Sequence, residues 1–231
     1  MGKDTSAEVE IGVSKLEDVF ILVPASELSL DDEFMKHQPK TTRELLFKER
    51  VELVIRKGVK NFYCAKYEPS YNKARTGICY KIGNMPAENK HFNWWEFYAK
   101  AFCPERGSRL GTRYEYTAFL AILIKKLIAS GWTVSDAWHA VCNDSKELGH
   151  YKNSKNSKTF FETIDSREVC DFFGLANTYK ILGKDKEGYD EYWLASGCHY
   201  DFGDSKPLAD MEHRRNYLFP HRGVGWVVLE Q

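Results

Sequence analysis

The stretch TRYEYTAFLAILIKKLIASG, Thr112 to Gly131, constrains the fold more than any other part of the chain. Thr112 stands three residues before Glu115, which is the spacing of a helix-capping box, and Gly131 is a typical helix terminator. Apolar residues cover most faces of the predicted helix, so it needs apolar partners on nearly every side. The pattern therefore predicts the central helix of a domain, near residues 112–130.

Two more helices are predicted by the same combination of caps and apolar spacing. In TTRELLFKERVELVIRKG, Thr41 stands three residues before Glu44, apolar residues recur at helical spacing, and Gly58 closes the segment. In TVSDAWHAVCND, Thr133 and Asp136 hold the corresponding capping positions. Together with the central helix, these segments account for much of the middle of the chain.

Strand-like runs lie on both sides of these helices. They are VFILVPA (19–25), NFYCAKYE (61–68), GICYKIG (77–83), EYWLASG (191–197) and the terminal GVGWVVLE (223–230). This order favours an α+β domain. The further expectation, that its termini lie in neighbouring strands, comes from the fold resemblance described below. The polar run HYKNSKNSKT (150–159) is typical of a solvated loop, so we predict one domain over residues 1–231.

Charge and hydropathy give no reason to expect a nucleic-acid partner or membrane insertion. The 33 basic and 33 acidic residues cancel. FNWWEFYAKAFC (92–103) could be mistaken for a base-stacking platform, but basic residues do not interleave with its aromatics, so we predict a short buried helix. Val19 to Val23 is too short and wrongly flanked for a signal peptide or membrane span, and Lys125 and Lys126 interrupt the central helix too early.

The six cysteines are widely scattered, with no C-x-x-C spacing. Buried free thiols are therefore favoured over a zinc site or a disulfide framework, although the even number leaves disulfides open. His139 precedes Cys142 by three residues on a predicted helix and could polarise its thiol. A packed core cysteine beside Trp138 is the favoured interpretation.

The segment from Ser196 to Glu230 shows neither helical nor strand periodicity until its last apolar run, Val224 to Leu229. Tyrosines, histidines, arginines and aspartates crowd into it, and these residue types carry binding energy or adaptable hydrogen bonds at recognition surfaces. The segment predicts an irregular, exposed binding region held between two strands. Its composition does not identify a ligand.

Four stretches, GSRLGTRYEYTAFLA, FFGLANTYKI, YWLASG and GVGWVVL, occur in an order that resembles formylglycine-generating-enzyme-like domains, a subtype of the C-type lectin fold. Arg109, Leu110 and Thr112 match the arginine-leucine-proline-threonine opening of that family's main helix, with Gly111 in place of the proline. The resemblance covers residues 107–230. It implies a C-type-lectin-like fold with short antiparallel sheets around a central helix, to which residues 1–106 add N-terminal strands and a helix.

Within that fold, WLASG, the irregular stretch and GVGWVVL most resemble the variable proteins of diversity-generating retroelements. Those viral or prokaryotic proteins display a diversified ligand-binding face on a rigid lectin-like scaffold. The resemblance implies a non-enzymatic binder of an unknown protein or cell-surface ligand, without a cofactor, in a compartment such as a virion or cell surface, and it leaves the oligomeric state open. The implied ligand-binding residues are His199, Tyr200, Asp201, Phe202, Asp204, Ser205, His213, Arg214, Arg215, Tyr217, Phe219, His221 and Arg222.

Three other functions compete with this interpretation. His199 and Asp201, with His213 or His221, could be arranged as metal ligands, but histidines in irregular loops are more often solvated, so we expect no metal. A copper-dependent oxidase of the formylglycine-generating type needs a pair of active-site cysteines, and Cys198 is the only cysteine in the last strands. A host or viral inhibitor that acts by protein-protein binding fits the neutral charge equally well. The calcium motifs of C-type lectins are missing from this region, so calcium-dependent sugar binding is not implied.

Overall fold

The structure, a computed structural model, describes residues 20–65, 69–71, 77–80, 92–143, 179–184, 192–196, 208–215 and 223–231. These residues form four α-helices and ten β-strands, which confirms the predicted α+β class. The helices are α1 (Thr42–Lys57), α2 (Phe92–Phe102), α3 (Arg113–Ala129) and α4 (Val134–Cys142). The strands are β1 (Phe20–Val23), β2 (Phe62–Ala65), β3 (Ser70–Tyr71), β4 (Ile78–Cys79), β5 (Arg109–Leu110), β6 (Tyr179–Lys184), β7 (Tyr192–Ser196), β8 (Met211–Arg215), β9 (Gly223–Gly225) and β10 (Val227–Glu230).

The first sheet joins both ends of the described chain in the order β1-β2-β10-β5, with every pair antiparallel. β2 lies between β1 and β10, so the prediction that the first and last strands are direct neighbours is wrong. The burial of the strands explains this order. β2 is apolar and buried at Phe62, Cys64 and Ala65, which suits a central position, whereas β1 leaves Leu22 exposed at the edge.

The second sheet has the order β8-β7-β6-β9, in which β6 and β9 are parallel and the other pairs antiparallel. The predicted closing strand, Val224 to Leu229, is therefore divided between two sheets at Trp226. Gly223–Gly225 pairs with β6, and Val227–Glu230 pairs with β2 and β5. The division follows from packing, because the Trp226 ring is buried against residues of the main core while the chain crosses from one sheet to the other.

β8 is a second departure from the sequence-based prediction, which treated residues 211–215 as part of an irregular loop. All five residues of β8 pair with β7, from Ser196↔Met211 to Tyr192↔Arg215. The sequence MEHRR carries no alternation of apolar and polar residues that would indicate a strand. An antiparallel ladder needs only backbone groups, so a polar edge strand can form without that signal.

The predicted caps of the helices are largely confirmed. At the start of α3, Thr112 and Glu115 form a complete capping box, and Gly131 follows its end with φ of +102°. Thr41 caps α1 by accepting a hydrogen bond from the Glu44 amide, and Gly58 ends it in the left-handed conformation. Thr133 caps α4, as predicted.

Glu44 departs from the predicted capping box, because its side chain bonds to groups other than the N-cap residue. Its carboxylate accepts from the Lys40 amide at 2.6 Å and from Asn143 Nδ2 at 2.7 Å, and it pairs with His37 Nε2 at 3.0 Å. Glu44 is 1% exposed, so these contacts form a buried polar cluster that joins α1 to α4. The Thr41 side chain extends the cluster by donating to Asn143 Oδ1.

The main core surrounds α3, as the apolar character of that helix predicts. Eleven of its seventeen residues are buried, and they pack with α1, α4, β2 and Trp226. α2 belongs to a second cluster with β4, β5 and β10. Phe92, Trp95, Ala99 and Phe102 of α2 are buried, which confirms the core interpretation of this segment, although Phe97 is exposed.

Candidate functional site

The candidate binding residues fall into two groups. His213, Arg214 and Arg215 lie on β8, at the edge of the second sheet, where they pair across the ladder with Leu194, Trp193 and Tyr192. The remaining candidates lie outside the described residues: His199, Tyr200, Asp201, Phe202, Asp204, Ser205, Tyr217, Phe219, His221 and Arg222. The three basic residues of β8 are therefore the part of the candidate site whose position in the fold is described.

β6 and β9 of the second sheet are fixed to the protein core. Leu182 of β6 is fully buried in the main core cluster. Gly225 of β9 lies directly against α2, because a Cβ atom at this position would be 2.7 Å from the Trp95 ring. Trp226 then packs edge-on against Phe62 and Tyr116, with ring centroids 5.9 and 5.2 Å apart. β6 and β9 thus form a base that is packed on the core, and β6 and β7 lie between β9 and β8.

Gly111 joins the two sheets at the centre of this base. Its amide donates to the Trp226 carbonyl at 2.9 Å, and its own carbonyl accepts from the Gly183 amide at 3.0 Å. A Cβ atom at position 111 would lie 2.3 Å from the Trp226 ring. A proline could not donate this hydrogen bond and would not fit beside the Trp226 ring, so glycine at position 111 has a structural reason.

Arg109 and Glu115, on either side of Gly111 in the chain, stabilise the start of α3. Their side chains form a bidentate ion pair, with Nη1–Oε2 at 2.8 Å and Nη2–Oε1 at 2.6 Å. Glu115 also accepts from the Thr112 amide and hydroxyl. Hydrogen bonding to Glu115 raises the pKa of Arg109, against the opposing effect of burial. The two side chains satisfy each other's charge through two short hydrogen bonds, so the pair serves to stabilise the start of α3.

The cysteines of the described residues are buried free thiols, as predicted. Burial, and next the charge of Glu115, raises the pKa of Cys64, and burial with the charge of Glu44 does the same for Cys142. For Cys103, burial and a hydrogen bond to Glu105 raise the pKa to about 11. Thiols in such surroundings remain protonated at neutral pH and are poor nucleophiles.

Cys142 is fully buried in the core cluster that contains Trp138, which confirms the interpretation as a core cysteine. Cys170 and Cys198 lie outside the described residues. Among the residues that are described, no group of three or more histidines, cysteines and carboxylates could hold a metal ion. In the same part of the chain, no helix is both long and apolar enough to span a membrane.

Two of the surface pockets are lined by described residues that lie outside the strands of the second sheet. One, of about 570 Å³, borders the Arg109–Glu115 pair and is lined mainly by polar residues, among them Lys60, Asn61 and Glu230. The other, of about 390 Å³, is a groove beside α1 lined by Arg43, Leu46, Glu49, Arg50, Leu53, Ala209 and Asp210.

The sequence-based search for functional residues missed the groove beside α1. Its signal was present, because Leu46 and Leu53 are seven residues apart and outside the buried stripe of Phe47, Val51 and Val54. The wall formed by Ala209 and Asp210 could not be found in this way, since more than 150 residues separate Arg50 from the Ala209 carbonyl that it contacts.

No protein-family model matches the chain, and no curated protein or solved structure is significantly similar to it.

Proposed function

We propose that the chain is a target-recognition protein that displays a binding surface from its C-terminal segment on a C-type-lectin-like scaffold. The motif resemblance is the source of this proposal, and the arrangement of the strands supports it. β1, β2 and β10 bring the two ends of the described chain into one sheet, α3 forms the central helix, and strands from the C-terminal region form a second small sheet.

The position of β8 is the observation that carries the proposal. β8 is an edge strand of the second sheet, whose opposite edge, β9, is fixed to the core through Gly225 and Trp226. A recognition surface needs this combination, because side chains on a fixed scaffold lose little conformational entropy on binding. His213, Arg214 and Arg215 give the strand three consecutive residues that can carry positive charge.

The residue types of the segment suit a protein target. Tyrosine and arginine dominate the binding energy of many interfaces, because they combine a large contact area with hydrogen-bonding groups. We expect Tyr200, Tyr217 and Arg214 to be the principal contacts, each costing more than about 1 kcal/mol of binding free energy on truncation to alanine. The proposal includes no catalytic role.

Deep sequencing of the gene across a natural population tests the proposal directly. Diversity-generating retroelements direct their mutations to adenines. If the segment is diversified in this way, amino-acid replacements should concentrate at the candidate codons between 199 and 222, at adenine positions. Codons for the scaffold residues Arg109, Trp193 and Trp226 should stay constant. A reverse transcriptase gene and a near-copy of the 3′ end of this gene should lie nearby.

Sequencing separates the proposal from an inhibitor with a fixed target, and a copper assay separates it from an oxidase. An inhibitor with one fixed target would keep the candidate codons as constant as the scaffold codons, which would contradict diversification. A copper-dependent oxidase would bind copper at Cys198 and a second cysteine. Copper that copurifies with the protein and is lost on replacement of Cys198 by serine would overturn the non-enzymatic assignment.

A further inference from the structure

The groove beside α1 exposes an apolar strip that the rest of the described fold does not cover. Leu46 is 53% exposed and Leu53 is 36% exposed. Because the two leucines are seven residues apart, they lie on the same face of the helix, about two turns from each other. Ala209 and Asp210 form the opposite wall. Contiguous apolar surface of this kind, bordered by charged residues, is typical of an interaction site.

Arg50 lies in the same groove, and its guanidinium group is only partly hydrogen-bonded. It donates from Nη2 to the Ala209 carbonyl at 2.6 Å, and its Nε is buried without a hydrogen-bond partner in the described part of the chain. Burial lowers the pKa of Arg50. The charge of Asp210, which also pairs with Arg43, offsets part of this effect. A further carboxylate beside Arg50 would therefore be stabilising.

Glu49 and Arg50 lie on opposite sides of the leucine strip. With a rotation of about 100° per residue, each is about 50° from the line that joins Leu46 to Leu53. Glu49 is exposed and belongs to the groove lining. The strip thus has a negative side and a positive side, so its surface is complementary to itself.

We propose that this groove is the interface of a homodimer in which two α1 helices pack side by side in parallel. A two-fold axis that runs along the helices brings Leu46 against Leu46 and Leu53 against Leu53 of the second copy. It also brings Glu49 of each copy beside Arg50 of the other. The dimer thereby covers the leucines and adds a second carboxylate, besides Asp210, to the surroundings of Arg50.

The direction of the helices follows from symmetry. An antiparallel pair has its two-fold axis perpendicular to the helices, and this axis would bring Glu49 beside Glu49 and Arg50 beside Arg50. Only the parallel arrangement pairs opposite charges. The net formal charge of zero adds no long-range repulsion between the copies. Such a dimer carries two copies of the C-terminal segment and could bind a repeated target with increased avidity.

Sedimentation velocity of the purified chain over a wide concentration range tests the interface. Leu46→Ser with Leu53→Ser should raise the dimer dissociation constant by more than about a hundredfold, because four leucines leave the interface. Leu45→Ser is the matched control, since Leu45 is 48% exposed on the same helix but is not part of the groove. It should leave the dissociation constant unchanged. Circular dichroism and thermal unfolding of each variant verify that it is folded.

Glu49→Gln tests the direction of the helices. In the parallel dimer it removes two attractive pairs and should weaken association by roughly threefold to tenfold. In an antiparallel dimer it would relieve repulsion and strengthen association. A wild-type chain that remains monomeric at every concentration would overturn the proposal. So would equal weakening by the Leu45 and the Leu46/Leu53 variants, or tighter association of Glu49→Gln.

Discussion

The helical core and the second sheet are stabilised in different ways. In the core, α1 is joined to the end of α4 by specific side-chain contacts, such as the hydrogen bond from Asn143 to Glu44, and α3 is surrounded by apolar residues. In the second sheet, β7 and β8 are joined by a regular backbone ladder, from Ser196↔Met211 to Tyr192↔Arg215. β6 and β9 reach the core, through Leu182 and Gly225.

This contrast indicates where substitutions should be tolerated. A backbone ladder places few demands on side-chain identity, so an edge strand can change its residues while it keeps its position. A buried polar cluster or a packed ring has no such freedom, because each change leaves a cavity or an unsatisfied group. Substitutions in the two regions should therefore have very different effects on stability.

Trp226→Ala should give the largest loss of stability, because this residue links the two regions. The Trp226 ring is 1% exposed and contacts the rings of Phe62, Tyr116 and Phe119. Truncation of a buried tryptophan typically costs about 3 to 5 kcal/mol. Urea unfolding followed by circular dichroism should show a decrease of this size in the free energy of unfolding.

Trp226→Phe is the control, since it keeps an aromatic ring and loses an indole NH that has no hydrogen-bond partner in the described residues. Trp226→Phe should therefore lower the free energy of unfolding much less than Trp226→Ala does. If Trp226→Ala changed the free energy of unfolding by less than about 1 kcal/mol, the ring would not be a core element, because truncations of that kind are small only where little is buried.

Glu44→Gln should be the next most destabilising change, at roughly 3 kcal/mol, because one of the donors around the carboxylate would lose its acceptor. Chemical denaturation at neutral pH measures this loss. Glu52→Gln is the matched control on the same helix. Glu52 forms a partly exposed ion pair with Arg56, so its replacement should change stability by no more than about 0.5 kcal/mol.

The pH dependence of stability should distinguish these two variants as well. Burial raises the pKa of Glu44, but the hydrogen bonds from Lys40, His37 and Asn143 outweigh it, and the pKa in the folded state is lowered. A carboxyl group with a lowered pKa stabilises the fold above its unfolded pKa, about 4.3, and this contribution is lost as the pH falls through the folded pKa. Wild type and Glu52→Gln should show this acid-induced loss of stability. Glu44→Gln should lack this component, and an identical pH profile for all three proteins would contradict the assignment.

Local patterns in the sequence predicted the helices well, because the caps of a helix lie within a few residues of each other. Thr112 and Glu115 are such a pair, and their capping box is present. The environment of Glu44 was not predictable in this way, since its partner Asn143 is 99 residues distant in the chain. Register and strand order are also non-local, which is why the position of β2 between β1 and β10 was missed.

The candidate site was predictable in composition but not in structure. The basic residues His213, Arg214 and Arg215 drew attention by their type, whereas the strand that carries them gave no periodic signal. The split of the last apolar run at Trp226 was hidden for a related reason. Five consecutive buried residues, 225–229, look the same in sequence whether they belong to one sheet or to two.

Gly111→Ala should cost about 1 to 3 kcal/mol, because the new methyl group would overlap the Trp226 ring and force the two sheets apart. Gly183→Ala is the matched control in the partner strand. A Cβ atom there would meet its nearest neighbours, the carbonyls of Gly111 and Leu110, at 3.8 Å, which is an ordinary contact. Thermal unfolding of both variants should show a clear decrease in Tm for Gly111→Ala alone. Equal decreases would mean that the close approach to Trp226 does not determine the choice of glycine.

The smallest effect on stability is expected for the triple variant Tyr200→Ala, Arg214→Ala and Tyr217→Ala. If these residues belong to a displayed surface, each change should shift the free energy of unfolding by no more than about 0.5 kcal/mol, because the β8 ladder and the core contacts of β6 and β9 do not depend on them. Differential scanning calorimetry should give a Tm close to that of wild type, while binding to the cognate target is lost. A large decrease in Tm would mean that the C-terminal segment contributes to the core. The contrast between a rigid helical core and a substitutable second sheet would then fail, and the proposed recognition surface would fail with it.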